Sequence, residues 1–345
     1  MPREIVHWDL LHRAVGRLSQ KSHPDLVRVA QMHPLSLALG AVAHDAPYYR
    51  HGGGSRFEWV GSLLHGIGGS TTLSDTLRPL SSFGAAVSLQ EDGETHDAGI
   101  AFLMGLLSHY AVDVIYHPPI FFFTGDYYAV DERERSNARA RHRLFEVYLD
   151  EDRSAHGTNL PWPVSIQTIL GEISKSTLRV VDEALAQAVT EGVTRYDPEL
   201  VPSLPQEWNR SLREMGRFQM LFLSPVWGAI AQGLNRISRD RLHQFEVLFA
   251  RGRRGHHGIF HEPWNYQNPL SGEAVTTSLF QLDEQAIDLT LQLFSKVQVA
   301  LVAGSLTSDT LANGVSLNYG LADGAPEDAA HFSAQGFQLP GLELP

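Results

Sequence analysis

Three ionisable side chains follow one another at four-residue steps in the most apolar stretch of the chain: His109, Asp113 and His117 of GLLSHYAVDVIYHPP. Residues four apart share one face of a helix, and at a rise of ~1.5 Å per residue the set covers roughly 12 Å of axis. One zinc, with ligand bonds near ~2.0–2.2 Å, could hardly hold all three. Two metals flanking a shared Asp113 could, because co-catalytic ions sit ~3.5–4 Å apart and a carboxylate offers two oxygens. Burying three such groups in apolar surroundings is costly unless they are compensated. A metal cluster would compensate them.

The spacing returns downstream, where ARHRLFEVYLD puts His142 and Glu146 four apart. Upstream, AVAHDAPYY supplies Asp45 with His44 beside it, GSLLHGIGG supplies His65, and His7 opens the first amphipathic stretch. Singly, each has a plain alternative: His109 with Asp113 as a hydrogen-bonded core pair, His142 with Glu146 as a solvated ion pair. The chain has 17 histidines and no cysteine. Imidazole and carboxylate are therefore the metal donors on offer, and disulfides, iron–sulfur clusters and thiolate zinc sites are excluded.

The elements that must position these groups read as helices. Apolar residues recur at helical spacing over 6–18, 35–42, 137–150, 166–188 and 206–250, the last broken at Pro225. The span 98–117 reads as a long buried helix, with Asp97 as N-cap and Pro118 and Pro119 as its end. A final helix opens on a capping box, Ser278 with Gln281, and stops at Gly304. Strand signals are sparse, so the expected fold class is all-α. Segments 50–55, 68–74 and 251–258 read as loops. Residues 1–303 are expected to form one helical domain, and 304–345 a surface or partly disordered tail.

Composition narrows the function classes. With 43% apolar and 19% charged residues, the 345-residue chain has globular composition. Its 27 basic and 39 acidic residues leave a net charge of −12, which disfavours coating nucleic acid or anionic membrane. No stretch reaches ~18 uninterrupted apolar residues, and MPREIVHWDLLHRAVGRL shows no secretory signal. A cytoplasmic location is the expectation, with no transmembrane segment; the oligomeric state is open.

In order, VHWDLLHRAV, GAVAHDAPYY, SLLHG, GLLSHYAVDVIYHP and RHRLFEVYLD closely resemble the zinc-dependent phospholipase C family, which is related to the trinuclear-zinc single-strand nucleases. HEPWNYQNPLSGEA is similar to the closing segment of bacterial members. The resemblance covers 5–150 and about 261–303, leaving 151–260 as a helical insert. It implies a multi-helix bundle around two or three zinc ions. Asp45, His65, His109 and Asp113 would hold one ion. His117, His142 and Glu146 would hold a second, and His7 with a shared oxygen of Asp113 a third. Two departures stand out. Six residues precede His7, so Trp8 cannot supply the N-terminal Trp ligand of the secreted enzymes. His117 follows the bridging Asp113 by four residues, where those enzymes use six.

The activity implied is zinc-dependent hydrolysis of a phosphoester or phospholipid by a metal-activated water, with Asp45 orienting or deprotonating that water. Two divalent ions outweigh the three carboxylates, so the site would attract a phosphate even in an acidic protein. The alternatives are a single-strand nuclease-like phosphodiesterase and a non-catalytic zinc- or lipid-binding module. Asp97, Tyr110 or His44 are candidates to hold a ligand imidazole in its tautomer. Tyr48, Tyr49 and Phe121 to Phe123 would line a lip or fill the core. RGRRGHHGIFHEPW would receive an anionic head group or remain a solvated loop. His12, His23, His33 and His96 read as ordinary helix or loop residues.

Overall fold

A computed structural model describes residues 4–50, 56–66, 76–238, 242, 249, 260, 262–311, 313–322 and 328–333. Over these residues the chain forms twelve α-helices and one two-stranded antiparallel hairpin. The fold class is all-α.

The axis of the fold is α6, Gly93–Thr124. It is apolar on every side, and a helix of that kind must be surrounded by others. Around it stand α1 (Glu4–Gly16), α2 (Pro24–Met32), α3 (Pro34–Ala43), α5 (Arg78–Ser88) and α7 (Glu132–Ala155), with α9 (Lys175–Tyr196) and the last helix, α12 (Leu279–Val302). By length and composition α6 could cross a membrane, but 94% of its most apolar window is buried inside the protein. It is the core helix.

Two glycines set how closely α3 approaches it. A Cβ at Gly40 would meet the Phe102 carbonyl oxygen at 2.1 Å, and one at Gly105 would meet that of Leu37 at 2.3 Å. Only hydrogen fits between these backbones. The first turn of α1 is held from α7: the amides of Ile5 and Val6 donate to the Asp150 carboxylate at 3.3 and 3.0 Å. That cap satisfies two orphan donors and places His7 against α6. At the far edge, α12 begins with the expected capping box at Ser278 and Gln281, and Arg13, Arg153 and Tyr116 converge on its Asp283. Between α7 and α12 lie α8 (Ile166–Glu172), α10 (Leu204–Phe222), α11 (Pro225–Ile237) and the hairpin strands β1 (Trp264–Gln267) and β2 (Ala274–Thr277). Short α4 (Glu58–Leu64) precedes His65.

Several expectations need correction. Helix α6 starts at Gly93 with Asp92 as its N-cap; Asp97 pairs instead with Arg28. It also runs through Pro118 and Pro119 to Thr124. Each proline removes one intrahelical donor, but burial of Ile120 and Phe121 on the continuing turn outweighs that loss. The span 166–188 is two helices, because Ser174 caps α9 by accepting from the Thr177 amide at 3.1 Å. The break at Pro225 is present, with Ser224 as the cap of α11. The 304–345 segment is not merely a surface tail: Leu311, Leu317 and Tyr319 are fully buried, because their apolar side chains complete the core beside α5 and α6. Of the loop expected over 50–55, residues 51–55 fall outside the described residues, as do the loops expected over 68–74 and 251–258 and, apart from 242 and 249, the 239–250 end of the last helical span.

Candidate metal centre

Five elements deliver the side chains singled out in the sequence to the middle of α6. His109, Asp113 and His117 lie on the face of α6 that meets α1 and α3, each at most 2% exposed. His7 comes from the first turn of α1. Asp45 comes from the turn after α3, just ahead of a 3-10 helix at Ala46–Tyr49, and His65 from the C-terminal end of α4. His142 and Glu146 are successive turns of α7.

Asp113 divides the site in two. Its Oδ2 faces His109 Nε2 at 3.1 Å and His65 Nε2 at 3.3 Å. Asp45 closes this flank, its Oδ1 lying 3.4 Å from His65 Nε2 and 3.5 Å from His109 Nε2. The other oxygen, Oδ1, faces His7 Nε2 at 3.5 Å and His117 Nε2 at 3.7 Å. Beyond it, His142 Nε2 lies 2.9 Å from Glu146 Oε1. One donor atom from each of Asp45, His65, His109 and Asp113 falls within 4.8 Å of the others, and the same holds for His117, His142 and Glu146. His7 belongs to neither set. Its ring stacks on that of His109, with centroids 4.0 Å apart and planes at 9°.

Backbone carbonyls orient the imidazoles. Nδ1 of His109 donates to the carbonyl of Ala41 at 2.9 Å, Nδ1 of His65 to Gly61 at 2.8 Å, and Nδ1 of His117 to Leu317 at 3.0 Å. Each bond puts the proton on Nδ1 and leaves the Nε2 lone pair aimed at the carboxylates. The side chains expected to do this do something else. Tyr110 Oη accepts from the Val315 amide at 2.8 Å, Asp97 is at the surface with Arg28, and His44 makes no hydrogen bond with either ring nitrogen. His44 is buried with its ring 5.0 Å from that of His65 and 4.9 Å from that of His109. No sequence signal could single out the carbonyls, since every residue has one.

The donors fit a metal. His65 Nε2, His109 Nε2, His117 Nε2, Asp45 Oδ1 and both oxygens of Asp113 are buried and make no aligned hydrogen bond. So many converging acceptors would be severely destabilising in a protein core without a cation or protons between them. Nitrogen and carboxylate oxygen are the ligands zinc takes in a cysteine-free site.

In the metal-free chain, protons take the cation's place on one flank. Burial alone would lower the pKa of His65, but its contacts with Asp113 and Asp45 push it up to about 9. His109 likewise rises to about 10, through the charges of Asp113 and Asp45. On the other flank burial wins: His7 and His117 both fall to about 3, and His142 also falls well below its ordinary value. Although burial opposes it, both carboxylates stay below their ordinary range, Asp45 chiefly through the His109 charge and Asp113 through His117 and His109.

The zinc dependent phospholipase C family model matches residues 6–191. The chain belongs to the zinc-dependent phospholipase C family. The matched stretch contains all eight side chains above and runs past residue 150, through α8 and most of α9. Among curated proteins and among solved structures, none matches the chain. Family membership and the buried histidine–carboxylate sets together support a zinc phosphoesterase in general terms.

The aromatic residues expected at a lip divide. Tyr48 Oη lies 3.4 Å from His65 Nδ1, and the Phe121 ring packs 4.8 Å from that of His142. Phe123 is half-buried and packs against Phe145 and Trp264 of the core. Trp8 is core too, its Nε1 donating to the Ala38 carbonyl at 2.8 Å. Of the Arg/His segment, 251–259 and 261, with all its arginines and histidines, lie outside the described residues.

Proposed function

We propose that the chain is a phospholipase C-like hydrolase that cleaves the phosphodiester of a glycerophospholipid. Asp45, His65, His109 and Asp113 would hold one zinc and His117, His142 and Glu146 a second, with His7 and the Oδ1 of Asp113 offering a third position. The observation that carries this reading is the division of Asp113, whose two oxygens each face a separate pair of imidazoles. Zinc so held supplies Lewis-acid activation of water and positive charge for the phosphoryl oxygens.

The chain's own residues supply the rest. The carbonyls of Ala41, Gly61 and Leu317 hold three imidazoles with Nε2 inward, so no reorientation is needed when charge develops. Asp45 orients the attacking water and takes its proton, and the charges around it keep its carboxylate ionised for that role. Water adds to phosphorus, the phosphorus–oxygen bond to the glycerol breaks, and the proton taken by Asp45 is returned to the departing glycerol oxygen. The products are a diacylglycerol and a phosphorylated head group.

The test pairs elemental analysis with head-group release from phosphatidylcholine micelles. Two or three zincs per chain with zinc-dependent release, both lost in Asp113→Asn, are expected. Cleavage of single-stranded DNA without lipid turnover would replace this reading with the nuclease one. Full zinc content with no turnover of either substrate would make the site structural.

A further inference from the structure

The helix α11, Pro225–Ile237, is inside out. Its buried positions are Gly228, Ala231 and Asn235, two small residues and one amide. Its large apolar residues point outward: Val226 is 66% exposed, Ile237 is 81% exposed, and Trp227, Ile230 and Leu234 between them are each at least 42% exposed. A helix of 13 residues is about 20 Å long, so these five make a continuous ridge rather than scattered exposed residues. Met220, near the end of α10, is a further exposed apolar residue.

The charge beside this ridge reverses that of the protein. Helix α11 contains no acidic residue. On α10, Arg210, Arg213 and Arg217 are exposed at helical spacing, leading toward Met220. The two acids of α10 are engaged by arginine: Arg50 Nε donates to Glu207 at 2.6 Å and Arg50 Nη1 to Glu214 at 3.1 Å, and Arg210 Nη1 shares Glu207 at 2.9 Å, so Arg213 and Arg217 are the α10 guanidiniums outside this network. Arg236 adds a fourth exposed guanidinium on α11 itself. A chain of net charge −12 thus presents here an apolar ridge with Arg213, Arg217 and Arg236 on the helices that carry it. The overall charge opposes approach to an anionic surface, but within a Debye length of ~10 Å the local charge decides.

The helix that carries the ridge is also linked by packing to the turn that follows Asp45. Helix α11 rests on Phe222 and Phe249 through Ala231, and Tyr49 packs against the same small cluster. The Tyr49 ring lies 6.3 Å from that of Phe218 on α10. Tyr49 ends the 3-10 turn that begins directly after Asp45 and also carries Tyr48.

We infer that α11, with the arginine face of α10, is an interfacial helix that seats the protein on an anionic lipid bilayer. Trp227 and the aliphatic ridge enter the headgroup–acyl boundary, and Arg213, Arg217 and Arg236 meet lipid phosphates. This deepens the phospholipase reading and rests on it for its purpose, but docking is measured apart from turnover.

The test is cosedimentation of the full, zinc-bearing chain with vesicles of phosphatidylglycerol and phosphatidylcholine, against vesicles of phosphatidylcholine alone. Binding to the anionic vesicles is expected, weakening as salt rises from about 0.1 to about 0.5 M. Ile230→Asp with Ile237→Asp should lower the partition coefficient by on the order of tenfold or more, the scale of excluding one or two large side chains from an apolar phase. Arg213→Glu with Arg217→Glu should lower it selectively on the anionic vesicles. Unchanged zinc content and melting temperature identify a folded variant, and Trp227→Gln repeats the measurement if the double aspartate variant misfolds. Equal sedimentation of folded variants and wild type would overturn the inference. So would self-association in the ultracentrifuge that Ile230→Asp abolishes while wild type ignores vesicles, since the ridge would then be a contact between copies. Binding without head-group release would support docking and sink the phospholipase reading. Release without binding would do the reverse.

Discussion

The two flanks of Asp113 use the same residue types and reach opposite proton states. On the Oδ2 flank two carboxylates face two imidazoles, and His65 and His109 are driven up to about 9 and about 10. On the Oδ1 flank His7 and His117 share the remaining oxygen, and burial takes both down to about 3. Burial is complete on both sides, so it does not make the difference. The number of carboxylates per imidazole does. A cation entering the Oδ2 flank must displace protons, whereas the Oδ1 flank presents imidazoles that are already neutral.

The largest test of this division removes its hinge. Asp113→Asn keeps the shape but withdraws the charge from both flanks, and should cost zinc on both sides with a fall in kcat on the order of 10³-fold, read by elemental analysis and turnover. Single-flank variants sharpen the picture. His109→Ala should lose the ion beside Asp45, and His117→Ala the ion beside Glu146, each leaving the other flank loaded. If either variant empties both flanks, the two halves are one cooperative cluster and the comparison fails.

A packing change should reach one flank only. Gly105→Ala puts a methyl group 2.3 Å from the Leu37 carbonyl oxygen, forcing α3 away and with it the Ala41 carbonyl that holds His109. About 3 kcal/mol or more of stability should go, measured by denaturant unfolding, with weakened zinc affinity beside Asp45. An unchanged midpoint would mean that α3 and α6 do not pack this tightly.

The flanks should also differ in pH dependence. With metal removed, His65 and His109 contribute stability that is full below their unfolded value near 6.5 and is lost as pH rises through about 9 to 10. His7 and His117 have the opposite sign. The unfolded chain binds their protons from 6.5 down to about 3, so stability falls as pH drops through that range. Melting temperature in chelator should therefore peak near pH 6.5 and fall on either side of it. A monotonic profile would contradict the opposed signs. The smallest effect serves as a control: Asp92→Ala removes the cap of α6 and should cost about 1 kcal/mol while leaving zinc content on both flanks intact.

Much of the centre was legible beforehand. The four-residue steps from His109 to His117 and from His142 to Glu146 specify shared helix faces whatever surrounds them, and the absence of cysteine restricts the donors. The family resemblance supplied the grouping; the structure gathers its first two sets, while His7 lies outside both and faces the Oδ1 of Asp113. The groups holding the ligands were not legible. Asp97, Tyr110 and His44 were reasonable candidates by residue type, yet three main-chain carbonyls hold the rings. The prolines misled for a related reason, since Pro118 and Pro119 signal a helix end locally and carry no information about what buries the next turn.

The amino-acid sequence alone determined the helical class, the face on which His109, Asp113 and His117 lie, the capping box at Ser278 and the chemistry open to the donors. These follow from periodicity, side-chain type and bonds spanning four residues or fewer. Tertiary structure alone decided that Asp113 splits its oxygens between two pairs of imidazoles, that Leu317 reaches back 200 residues to His117, and that α11 turns its apolar ridge outward. Each depends on which surfaces meet. Close packing sets that globally, through contacts such as Gly40 on Phe102 and Gly105 on Leu37 that no local pattern encodes.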